Sequence, residues 1–241
     1  MNTLLWGALP YIAFVLLVAG IVWRYRYDKF GWTTRSSEIY ESKLLKIASP
    51  LFHYGILFVL AGHLLGLFVP ASWTDAVGAD EHVYHLFSLY GGTAAGVLTL
   101  AGIAMLLYRR RTKAPVFRAT TVNDKVMYLF LVAALVLGMW AKIAHSSLTE
   151  GYDYRGTIAV WARSLFTLQP EIGRMDGVPL LYRVHAVVGM VLIALVPYTR
   201  LIHMFSAPVQ YLFRPYIVYR SRDERQIGSR KDPRGWERTK L

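Results

Sequence analysis

Long apolar runs set the pattern of this chain. Leu4–Trp23 and Pro50–Val69 each hold 20 residues without a charge, and Leu86–Tyr108 holds 23. Val126–Ala141 holds 16 and extends to Ala144 if Lys142 snorkels to an interface. Val184–Thr199 holds 16 between Arg183 and Arg200. At about 1.5 Å per residue, some 20 residues cross a hydrocarbon core about 30 Å thick. Helices of a soluble bundle would carry a polar stripe with a 3.6-residue period. Phe58–Leu67 and Val187–Val196 carry none. The pattern predicts an all-α membrane protein with five transmembrane helices.

Between the runs the chain is short and polar. Trp32–Lys46 and Thr112–Asn123 read as connectors, and residues 145–183 as a longer loop. Within that loop, Ile158, Trp161, Leu165 and Leu168 fall at helical spacing, which predicts a helix over 156–168 lying on the membrane surface. Residues 1–220 then form the membrane domain. The tail 221–241 is charged and is expected to stay disordered unless a partner orders it.

Composition agrees with the pattern. Hydrophobic residues make up 55% of the 241, charged residues only 17%, and mean hydropathy is +0.34. A soluble domain carries about 25% charged residues. Cysteine is absent. That excludes disulfides, thiolate catalysis, a thioether-linked haem and an iron–sulfur cluster held by this chain.

The net charge of +12 is a topology signal. Residues 24–49, 109–125 and 200–241 hold 22 basic and 8 acidic residues, a balance of +14. Residues 70–85 and 142–183 hold 5 basic and 7 acidic residues, a balance of −2. The basic side is expected to be cytoplasmic. The N-terminus is then outside and the C-terminus inside. Met1–Leu4 has no basic residue, so the first span reads as an uncleaved helix rather than a signal peptide. The basic excess therefore calls for no nucleic-acid partner, and the expected site is the cell membrane, crossed several times.

Ionisable groups inside a span are costly and mark function. The spans hold almost none except histidine: His53 and His63 in the second, His185 and His203 at the ends of the fifth. A single membrane histidine is often a hydrogen bond within the bundle. Two on each of two helices, without an acidic partner, fit the axial ligands of b-type haem, two per iron. Span direction places His53 with His203 at the cytoplasmic end and His63 with His185 in the outer half. Ten residues separate His53 from His63, about 15 Å along a helix; eighteen separate His185 from His203, about 27 Å. The mismatch of about 6 Å at each pair must be absorbed by tilt and by a kink at Pro197.

Gly55, Gly62, Gly66 and Gly189 lie near these histidines and would admit a flat ligand, although small residues also serve plain helix packing. Propionates need cations. Arg109 and Arg200 are placed for the inner haem and Arg183 for the outer one, while each also suits a topology arginine. Two haems stacked across a membrane imply electron transfer from a lipid-soluble donor to a cytoplasmic partner subunit.

These residues resemble a known family. Trp23–Ser37 (WRYRYDKFGWTTRSS), Ser49–Gly66 (SPLFHYGILFVLAGHLLG), Arg118–Asp124 (RATTVND) and Asp176–Leu212 (DGVPLLYRVHAVVGMVLIALVPYTRLIHMFSAPVQYL) are similar to the gamma subunit of membrane-bound respiratory nitrate reductase, a di-haem cytochrome b. The resemblance implies that the four histidines ligate two haems b and that a quinol, menaquinol or ubiquinol, is oxidised near the outer one. It implies an iron–sulfur beta subunit and a molybdenum alpha subunit on the cytoplasmic side. The chain would then be the quinol-oxidising subunit of a nitrate reductase (quinone) complex. Cytochrome b subunits of heterodisulfide-reductase-like or sulfite-reduction-associated complexes share the domain and compete with this reading. A haem-free transporter or anchor is a different class, separable by a visible spectrum.

Quinol oxidation also needs a proton acceptor. Apart from the expected ligands, the histidines are His82, His85 and His145. His82 and His85 share one helical face directly before the third span, and Asp80 and Glu81 would favour their charged form. Some family members carry a lysine in this stretch; this chain has none, so His82 and His85 stand as the candidates, with Gly62 leaving room for the ring.

Overall fold

The computed structural model describes residues 2–78, 81–146 and 152–206. Contacts divide the chain into residues 1–205 and 206–241, and the second unit, except Ser206, lies outside the described residues. So do the expected tail 221–241 and the boundary at 220.

Five long helices carry the apolar runs, and the described residues contain no strand. A π-helical turn, Thr3–Ala8, leads into α1, Leu9–Tyr27. Then follow α2 (Leu45–Phe68), the short α3 (Ala71–Ala76), α4 (Glu81–Thr112) and the short α5 (Ala114–Arg118). The remaining helices are α6 (Val122–Ser146), α7 (Ile158–Ser164) and α8 (Leu180–Leu195). Five stretches are long and apolar enough to cross a bilayer: α2, α4, α6, α1 with the turn before it, and α8 continued through Tyr198. Their outward faces expose large apolar side chains such as Phe14, Leu57 and Phe58, the surface that lipid covers.

Neighbouring helices alternate in direction. α2 packs along α4, α4 against α6, α6 against α8, and α8 against α1. In lipid, apolar area gives helices little reason to associate, so close backbone approach takes over. The α2–α4 seam is built on it. A Cβ on Gly55 would lie 2.7 Å from the backbone N of Thr99, and one on Gly102 2.5 Å from that of Phe52.

Two cores form. Near the ends of α2 and α6 that meet the basic connectors, Phe52, Ile103, Met127 and Leu131 cluster. At the opposite end, Trp6, Ile158, Trp161, Met175, Val178 and Met190 cluster. The second core corrects an expectation. The helix in the long loop exists, but its Ile158 and Trp161 pack into this core, while Leu168, beyond its end, is exposed. Ile158, Trp161 and Ala162 are buried, Trp161 Nε1 donates to the Trp6 carbonyl at 2.9 Å, and the two indoles meet edge to face. An edge-to-face indole pair with its N–H bonded to a carbonyl suits a buried tryptophan.

The basic connectors are tied down by charge. Arg109, 2% exposed, donates from Nε to Glu41 Oε2 at 2.6 Å and from its terminal nitrogens to Ser37 Oγ and Ser37 O, both 2.8 Å, and to the Glu41 carbonyl. The Leu44 N–H and the Arg109 guanidinium hold the Glu41 carboxyl below its ordinary pKa. At the start of α6, Thr121 and Asp124 exchange side chain to backbone hydrogen bonds of 3.0 and 3.2 Å, a capping box. Lys142 departs from expectation. The helix extends past it, yet the side chain turns in over Gly92 instead of snorkelling, with Nζ 3.5 Å from Ser88 Oγ.

Candidate functional site

The four span histidines form two pairs, and the pairs are those that span direction predicts. His53 on α2 faces His203, with ring centroids 6.0 Å apart and planes at 66°. His63 on α2 faces His185 on α8, at 5.9 Å and 37°. The first pair sits beside Phe52 in the basic-end core. The second lies toward the other end, ten residues up α2.

Each imidazole is aimed through Nδ1. The Nδ1–H of His53 donates to the Ser49 carbonyl at 2.7 Å, and that of His63 to the Val59 carbonyl at 2.8 Å, each one turn back on its own helix. His185 uses the Ala134 carbonyl of α6 at 3.0 Å, and His203 the Arg200 carbonyl at 2.5 Å. With Nδ1 donating to a carbonyl, Nε2 carries the lone pair, the arrangement that histidine ligands of metals share.

The spacing fits a shared axial ion. A ligating nitrogen lies about 2 Å from its metal and about 1 Å from its own ring centre, so two opposed imidazoles on one ion have centroids about 6 Å apart. α2 and α8 are not close-packed on one another, although their histidines meet. Among the described residues no three metal-ligating side chains converge. A pair suffices where the group brings its other ligands itself, as haem does.

The expected accessory residues fall into two groups. The Nε of Arg183 is buried and has no hydrogen-bond partner among the described residues, which suits a cation waiting for an anionic group two residues from His185. A Cβ on Gly62 or Gly189 would meet nothing within 4 Å, so both leave open space beside the histidines. Arg109 and Arg200 are engaged elsewhere. Arg109 binds the connector, as described above, and Arg200 Nε donates to Asp124 Oδ1 at 2.8 Å in a buried pair. Gly55 and Gly66 serve packing: Gly66 lies under the hydroxyls of Tyr84 and Tyr154.

His82 and His85 stand exposed in the first turn of α4, and neither makes a hydrogen bond or ion pair among the described residues. Asp80 and the side chains of Glu81 and His145 lie outside the described residues. Between the two histidines, Tyr84 turns inward. Its hydroxyl lies 3.0 Å from that of Tyr154, and Arg155 sits over its ring at 3.9 Å. Burial, and then the Tyr84 hydroxyl, push the Tyr154 phenol well above its ordinary pKa, so it stays protonated.

Several residues of the site are not visible as such in the sequence. Gly138 gives His185 its place, since a Cβ there would lie 2.8 Å from Cε1 of the ring. With Ala134 it makes a small pair four apart on α6, a pattern that by itself signals only packing. Tyr154 and Arg155 come from the long loop and carry no motif.

Comparison with known proteins agrees with this architecture. The family model for the nitrate reductase gamma subunit matches residues 2–222. The nitrate reductase gamma chain of Bacillus subtilis is 37% identical over 219 residues, 91% of this chain and 98% of its own length. The respiratory nitrate reductase 1 gamma chain of Escherichia coli is 34% identical over 224 residues, 92% of this chain and 98% of its own. The nitrate reductase-like protein NarX of Mycobacterium tuberculosis is 55% identical over 237 residues; the chain spans 36% of the length of that relative. With five membrane-length helices and a family match over nearly its whole length, this multi-pass cell-membrane chain belongs to the nitrate reductase gamma subunit family.

Proposed function

We propose that this chain is the quinol-oxidising, di-haem cytochrome b subunit of a respiratory nitrate reductase. It passes electrons from quinol at the outer side to an iron–sulfur beta subunit in the cytoplasm, and so to a molybdenum alpha subunit. The observation that carries the reading is the twofold histidine geometry: two cross-helix pairs with centroids 5.9 and 6.0 Å apart, each imidazole aimed by a backbone carbonyl.

His53 and His203 would hold the inner haem, His63 and His185 the outer one, and Arg183 would pair with a propionate of the outer one. Bound there, two haems b supply one-electron transfer at two depths of the membrane. The chain's own residues do the rest. The backbone carbonyls fix each imidazole so that little reorganises when charge arrives. Quinol loses two protons with its two electrons, and the exposed His82 and His85 near the start of α4 are the candidates to take them. The basic connectors, with Arg109 locking Ser37 and Glu41, present the surface on which the cytoplasmic subunit docks.

A reduced-minus-oxidised spectrum of the purified protein tests this directly. It should give b-type bands with two haems per chain, re-oxidised by nitrate in the assembled complex. A protein without haem, or with haem that quinol does not reduce, overturns the proposal.

A further inference from the structure

The segment that carries His203 is not a continuation of α8. The helix stops at Leu195, Val196–Tyr198 make one 3₁₀ turn around Pro197, and Thr199 is extended at φ −121° and ψ −179°. A second 3₁₀ segment, Arg200–Ser206, then presents His203. Such a break strips backbone carbonyls of their helical partners, and lipid offers none in exchange.

Two side chains supply the missing donors. Arg24 Nε, near the end of α1, donates to the Pro197 carbonyl at 2.8 Å in a buried bond. Asn123 Nδ2, at the start of α6, donates to the Tyr198 carbonyl at 2.6 Å. Arg24 is itself paired with Asp28, whose carboxylate also accepts from the Gly31 N–H of the basic connector at 3.1 Å. Gly20, one turn before Arg24, lets α1 close on the break, because a Cβ there would lie 2.5 Å from Pro197 Cγ. Beyond the break, Arg200 is anchored to Asp124, and its carbonyl receives the His203 Nδ1–H.

The break answers a length problem. On a straight helix His203 would stand about 27 Å from His185, while their partners on α2 stand about 15 Å apart. Yet both pairs meet at the same separation, 5.9 and 6.0 Å. The chain must be diverted between them, and residues 196–199 are where it is.

We infer that Arg24 and Asn123 are positioning residues for His203: they hold the break in the shape that sets its imidazole opposite His53. Neither side chain forms a hydrogen bond with His203; they act through the carbonyls of residues 197 and 198. The inference rests on the di-haem reading above, and only the inner site depends on it.

The test uses the intact complex purified from membranes. Haem per chain is counted, the low-spin signals are resolved by electron paramagnetic resonance, and both midpoint potentials are titrated. In the double variant Arg24→Gln with Asn123→Ala, the inner signal should shift or vanish, with haem per chain falling from two towards one. The outer signal should not move. Arg24→Lys keeps a donor and should restore part of the inner signal. If the double variant does not accumulate, Asn123→Ala alone decides, since Asn123 is exposed. It should move the inner signal and potential, by less. Two unaltered signals with unaltered potentials overturn the inference, as does an outer signal that moves as far as the inner. A wild-type complex without haem fails the di-haem reading instead, before any variant is made.

Discussion

A histidine in a membrane span is ambiguous until its second nitrogen is located. Here all four have Nδ1 on a backbone carbonyl, which leaves the lone pair on Nε2. His63→Ala or His185→Ala should therefore remove one haem and abolish quinol oxidation. His53→Ala or His203→Ala should remove the other and block transfer onward; four variants that all keep two haems per chain would contradict the assignment. Gly138→Ala is a subtler probe. Its methyl would press on Cε1 of His185, an overpacking that costs about 1–3 kcal/mol where the neighbour cannot retreat. A lower melting temperature and a selective change in the His63–His185 haem are expected, measured by thermal release of haem in detergent. The histidines were legible because the apolar runs of their spans hold no Asp, Glu, Lys or Arg. Gly138 was not, because its meaning depends on which helix lies opposite.

At the level of elements, charged side chains decide how the helix ends are held. Asp124 caps α6 and pairs with Arg200, with both side chains nearly buried. Asp124→Ala leaves the arginine without its counterion, a loss of about 3–5 kcal/mol for a buried pair. The expected result is poor accumulation in membranes, partly recovered by also replacing Arg200 with Met. The Arg109–Glu41 lock answers to pH. Its carboxyl is held below the ordinary value of 4.5, so its contribution is fully present above that pH and fades as pH falls through the lowered native value. Proteolysis of the Ser37–Leu44 connector should accelerate on acidification below pH 4.5, and Glu41→Gln should be cleaved readily already at neutral pH. An acid-insensitive connector would refute the role. Span positions were readable from apolar length alone. The buried loop helix and the inward Lys142 were not, since a helical period names a face and leaves its partner unnamed.

For the whole molecule the central expectation is direction. With 22 of the 27 basic residues on one side, that side is expected to be cytoplasmic, which would put the His63–His185 pair towards the outside. Quinol turnover should then release protons outside while electrons move inward. Proteoliposomes of the complex should build a potential, negative inside, followed with a voltage-sensitive dye; turnover without a potential would rule this out, as would a C-terminal tail cut by protease from outside. The sequence by itself determined the five spans, their alternation and the two pairs of histidines, because hydrophobic length and charge placement act along the chain and need no knowledge of neighbours. It also exposed the mismatch of about 12 Å between the two histidine spacings, without saying how it is relieved. Only the tertiary structure decided that: the break at residues 196–199, the donors Arg24 and Asn123 that satisfy it, and the diversion of Arg109 and Arg200 to connector and cap. The reason is that a freed carbonyl or a buried charge must find a partner within about 3 Å, and which side chain can reach it depends on how distant segments pack.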